Sequence, residues 1–82
     1  MATHLLVVKG QEEFQREAER LGVNGEGQEK AVCLFSDGSN LHHAMAYRNP
    51  LIIHMIVPTI NCKREVAMMV QQLEGHGAKV MV

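Results

Sequence analysis

The residues with chemistry to offer in this 82-residue chain are two cysteines and five histidines. Cys33 lies in the run Ala31 to Phe35, whose alternation reads as a strand. Ser36-Asp37-Gly38-Ser39 follows, and Asp-Gly between two candidate strands is a strong hairpin signal, because both turn positions need positive φ. A two-residue Asp37-Gly38 loop would set Cys33 opposite His42. A thiol beside an imidazole is how cysteine nucleophiles are activated, so Cys33 and His42 form the candidate catalytic pair. The ordinary alternative is a buried cysteine next to a half-exposed sheet histidine.

The remaining groups support other chemistry less well. Cys33 and Cys62 have no CxxC spacing and make no zinc motif. His42 and His43 are adjacent, so on a strand their rings point to opposite faces and cannot chelate one ion. His43 and His54 would share a face if the strand after Pro50 paired back antiparallel, but a third ligand would be missing. The expectation is therefore no metal and no cofactor. His54 interrupts an otherwise apolar strand and needs a hydrogen-bond partner if buried. Ser36, Asp37 and Ser39 form a small polar turn at the carboxyl end of a strand. If a helix follows, this is where an open sheet binds anions or small ligands. No GxGxxG or GxxxxGK[ST] motif is present to support nucleotide binding.

Charge narrows the partners. The formal net charge is -1, with eight scattered Lys and Arg, so nothing resembles a polyphosphate-binding stripe. Phe14, Phe35 and Tyr47 are the whole aromatic content, which leaves little for base stacking. Nucleic acid is thus not an expected partner. Neither is a membrane, because the longest apolar stretch, Leu51 to Pro58, is short and contains His54. The amino-terminal residues lack a basic segment and a long apolar run, which points to a cytoplasmic protein with reduced thiols.

The elements that must position these residues follow from periodicity. His4 to Val8 is almost wholly apolar, as in a central strand covered on both faces. Gln11 to Leu21 places Phe14, Ala18 and Leu21 on one helical face, with Gly22 as a left-handed cap. Asn24-Gly25-Glu26-Gly27 reads as a loop, and Asn49-Pro50 as a break. Leu51 to Val57 is the strongest strand. Asn61 would cap a second helix over Cys62 to Glu74, with Val66, Met69, Val70 and Leu73 buried. Ala78 to Val82 reads as a final strand. The segment Asn40 to Arg48 fits a strand, following the Asp-Gly turn, or a helix, following its alanines.

The strand reading gives one α+β domain over residues 1–82. It is a βαβββαβ mixed five-stranded sheet with two helices on one face. The helical reading gives a βαβαβαβ small α/β sandwich instead. In the first, one sheet face stays uncovered, and a second copy of the chain is the common way to cover it. Met45, Tyr47, Met55 and Met81 are the residues expected at that interface. The expected function is accordingly a non-enzymatic interaction module. It would be a homodimeric small regulator or inhibitor, of bacterial or phage type, that binds a protein target through an open sheet face or strand edge. A thiol-dependent enzyme or carrier and a small-ligand domain are the alternatives.

Overall fold

Leu5, Leu6, Val7 and Val8 are each fully buried. Side chains alternate across a strand, so a run buried at four consecutive positions must be covered on both faces. In the computed structural model, which describes residues 3–23, 30–46 and 51–81, this strand (β1, Thr3–Val8) lies inside a four-stranded sheet. The elements along the chain are β1, α1 (Gln11–Leu21), β2 (Lys30–Phe35), α2 (Leu41–Ala44), β3 (Leu51–Met55), a 3-10 turn (Thr59–Asn61), α3 (Arg64–Gly75) and β4 (Lys79–Met81). The strand order is β2-β1-β3-β4, and every neighbouring pair is parallel.

The two faces carry separate cores. Leu5, Val7, Val32, Leu34 and Ile53 face Ala44 of α2 and Val66, Met69 and Val70 of α3. Leu6 and Val8 face Ala18 of α1, with Phe14, Leu21, Ala31, Cys33, Phe35 and Ile56 packed around them. α1 therefore lies on the face opposite α2 and α3. It rests on β1 and β2.

The local signals explain the individual elements. α1 spans the residues that its apolar periodicity predicts, and it ends at Gly22, whose φ is 73°. There the Val23 N–H donates to the Ala18 carbonyl at 2.9 Å, closing the left-handed cap. α3 starts later than expected. Thr59–Asn61 forms a 3-10 turn, and Lys63 rather than Asn61 is the residue before the helix. Its predicted stripe is kept: Val66, Met69 and Val70 are buried, and Leu73 packs beside them.

The five-stranded βαβββαβ sheet does not form, and the helices are not on one face. The observed order is the βαβαβαβ alternative. The difference begins at Asp37-Gly38, which makes no hairpin. Gly38 has φ 78°, its N–H donates to the Phe35 carbonyl, and its carbonyl accepts from Leu41, so the chain turns into α2. Residues 41–44 are helical rather than extended. A helix here can cover β1, whereas a fifth strand could not. Neither face is left wholly open. The loop at 24–27, the break at 49–50 and Tyr47 lie outside the described residues.

The buried β3 position gives a direct check of this packing. Ile53→Ala should cost about 3 kcal/mol in urea unfolding, through lost burial and the cavity left behind. Ile60, 91% exposed, should tolerate alanine with a change within about 0.5 kcal/mol.

Candidate functional site

Three places gather chemically capable residues: the turns at the carboxyl ends of the strands, the outer edge of β2, and the β3–β4 half of the face that carries α1.

At the carboxyl ends, the Ser36 N–H donates to the Val8 carbonyl and the Ser36 carbonyl accepts from Lys63, both at 2.8 Å. These two bonds tie the turn after β2 to β1 and to the start of α3. A Cβ on Gly38 would lie 3.6 Å from Val66, so the turn also packs closely on α3. Asp37 Oδ1 accepts the Ser39 N–H at 2.9 Å. That bond, ahead of the field of Lys63, holds the Asp37 carboxyl below its ordinary range. The predicted ligand turn is thus capped by its own carboxylate. The Ser39 amide is engaged there, and the Asp37 carboxylate places a negative charge beside it. Nearby, Cys62 points its thiol at the Pro58 carbonyl, 3.4 Å away, and burial raises its pKa.

At the β2 edge, Asn40 acts as a substitute strand. Its Oδ1 accepts from the Phe35 N–H at 2.9 Å, and its Nδ2 donates to the Cys33 carbonyl at 2.8 Å. Cys33 lines a shallow cleft with Phe14, Phe35, Asn40 and His43. The residue sharing the cleft is His43, not His42. The pairing of Cys33 with His42 needed a hairpin, and α2 replaces that strand; His42 is exposed on the helix. Burial pushes the Cys33 thiol up to about 11, outweighing the hydrogen bond from Asn40 that lowers it. A thiol in that state is a poor nucleophile at neutral pH.

The third place was not anticipated. His4 and His54 come from neighbouring parallel strands, with His4 level with Ile52 and His54 level with Leu6. Their rings stack at 5.1 Å with 19° between planes, and His4 Nδ1 lies 2.8 Å from His54 Nε2. His54 therefore has the partner that its place in an apolar strand demanded. The sequence expectation matched it with His43, which needed an antiparallel strand. The signal was present in two apolar runs each containing one histidine, but only the β1–β3 adjacency brings them together. Burial lowers the His54 pKa, followed by the His4 ring and Arg20 of α1. Beyond this pair, Met81 is level with His54 on β4 and is 43% exposed.

The methionines expected at an interface divide. Met81 and Met45 are exposed, with Met45 beside Met69, Leu73 and His76, whereas Met55 packs against the α2–α3 core. Among the described residues, no three His, Cys, Asp or Glu side chains gather as a metal set, and no helix is long and apolar enough to cross a membrane. Comparison of the chain with protein-family models, curated proteins and solved structures returns no significant match.

Two measurements follow from these environments. The folded His54 pKa is lowered from 6.5, so the unfolded chain binds more protons just below that pH. Stability should be full above about pH 6.5 and fall as the pH drops toward the folded value. Urea midpoints at pH 7.5 and 5.5 should show this loss, and His54→Gln should shrink it. Both cysteines should also react with a thiol reagent at pH 7.5 much more slowly in the folded protein than in urea, since burial holds both protonated.

Proposed function

We propose that this domain is a non-enzymatic interaction module that pairs with a second copy of itself along the β4 edge. β4 ends the sheet opposite β2. Beside it runs a groove lined by Thr59, Arg64, Met68, Gln71, Glu74 and Val80. Three of the four exposed large hydrophobics belong to this region: Met68 on α3, Met81 on β4, and Ile60, the residue after Thr59.

The observation that favours a second copy is the charge order along α3. Arg64, Met68, Gln71 and Glu74 follow helical spacing and share one flank. The stripe is basic at its start, apolar in the middle and acidic at its end. A two-fold axis normal to the sheet at the β4 edge would set the two α3 helices antiparallel. Arg64 of each copy then faces Glu74 of the other, with Met68 near the axis. The same axis fits β4. Antiparallel pairing centred on Val80 sets Lys79 opposite Met81, so like charges do not meet. Each protomer's patch is its own complement, as an isologous interface requires.

Edge pairing of this kind would join two four-stranded sheets into one and bury the exposed methionines. The paired form is the one suited to a small regulator or inhibitor that acts by binding another protein. The raised pKa values of both thiols favour this reading over thiol catalysis.

Sedimentation at tens of micromolar should report a dimer. Arg64→Glu places two acids together and should weaken association roughly tenfold. Adding Glu74→Arg to that variant reverses both charges and should restore it. A wild-type chain that stays monomeric at several hundred micromolar, or a double swap no better than the single one, rejects the β4 interface.

A further inference from the structure

We propose that His4 and His54 form an acid-responsive contact. The bond between the rings survives one added proton and breaks on the second, so the rings part in mild acid while the sheet stays paired. The contact is independent of the β4 pairing. Its two nitrogens, His4 Nδ1 and His54 Nε2, face each other at 2.8 Å from adjacent strands. A hydrogen bond between two imidazole nitrogens uses one hydrogen and one lone pair, so one ring donates and the other accepts. A first added proton makes the donor ring an imidazolium. That ring still gives its inner N–H to the neutral ring, and the bond becomes charge-assisted. A second proton takes the accepting lone pair. Both inner nitrogens then carry hydrogen, and two cations face each other with no lone pair between them.

The surroundings oppose the second charge. On this face, β4 sets Lys79 level with Ile52, the β3 residue level with His4, and sets the uncharged Met81 level with His54. α1 brings Arg20, whose positive charge bears on His54. α1 also carries Glu17, engaged with Arg20 at 2.7 Å, and Glu13, bonded to the Lys9 N–H at the far end of β1. β2 contributes Cys33, level with Leu6, and burial keeps its thiol neutral. Burial of His54, ahead of the His4 ring and Arg20, favours its neutral form. The second proton is therefore taken well below the first, in the mildly acid range. Both side chains are only partly buried, so the parted rings reach water by rotating about their side-chain bonds, and the β1–β3 ladder keeps its register. The face then carries two new positive charges beside Arg20 and Lys79.

The test is ring-nitrogen NMR of the whole chain, titrated from about pH 8 to about pH 4.5. The pair should take up two protons in steps separated by about one pH unit or more. Scalar coupling between His4 Nδ1 and His54 Nε2 should persist through the first step and vanish in the second, while the amide spectrum stays that of the folded chain. His4→Gln should leave a single His54 step, moved up toward the ordinary histidine value. The wild-type titration decides the matter even if that variant does not fold. Rings uncoupled at every pH, coupling that lasts to about pH 4.5, or coupling lost only as the chain unfolds overturns the proposal.

Discussion

The burial of β1 on both faces is the constraint on which the rest of the structure depends. Four consecutive apolar side chains, Leu5 to Val8, cannot all be hidden by helices on one side. Leu5 and Val7 need one layer, and Leu6 and Val8 need another. Burying each of these side chains contributes on the order of 2 kcal/mol, which a small domain cannot forgo. The chain meets the demand by sending α1 to one face and α2 and α3 to the other. Once that division is made, β2 and β3 flank β1, and β4 is left at the far end of the sheet.

The division is uneven, and the candidate sites follow from that. One helix covers β1 and β2 on its face, so β3 and β4 stay less covered there. His54 and Met81 occupy this region, and His4 borders it from the start of β1. Both imidazoles are accordingly only partly buried. It also explains how a histidine can interrupt the apolar β3 run without being stranded: the strand is fully buried at Ile53, which faces α3, and only partly at His54.

Much of the fold was legible in the sequence, but not the segment after β2 or the contacts between distant strands. α1 and its Gly22 cap, and the stripe of α3, were readable because helical periodicity and cap chemistry are local. The strands were readable to within a residue or two for the same reason. Residues 39–48 were ambiguous because Asp-Gly serves a hairpin and a turn into a helix equally well, and four helical residues carry too little periodicity to choose. The conflict could have been resolved from β1. Four consecutive apolar residues, Leu5 to Val8, ask for cover on both faces, which two helices on one face do not give and a helix after β2 does. The His4–His54 contact was not readable, since it depends on β1 and β3 being neighbours although 50 residues separate the two histidines. Asn40 was not readable either. Its place on the β2 edge depends on the geometry of the turn that delivers it.

The two ends of the sheet handle the edge-strand problem differently. An unpaired edge offers backbone donors and acceptors to any passing strand, and proteins either cover it, charge it or use it. At β2 the side chain of Asn40 fills both roles of a missing neighbour, accepting at Phe35 and donating at Cys33. The carboxyl end of that edge is thereby occupied by a residue of the chain's own. β4 is a short strand, Lys79-Val80-Met81, flanked by exposed methionines on either side of the sheet. Lys79 is its charged residue, and a lysine on an edge opposes indiscriminate pairing. It does not oppose an antiparallel register centred on Val80, which carries it past its own copy to lie against Met81. The two ends of the sheet thus differ in what they offer: Asn40 occupies part of the β2 edge, whereas β4 carries a lysine that disfavours only the antiparallel self-pairing centred on residue 79.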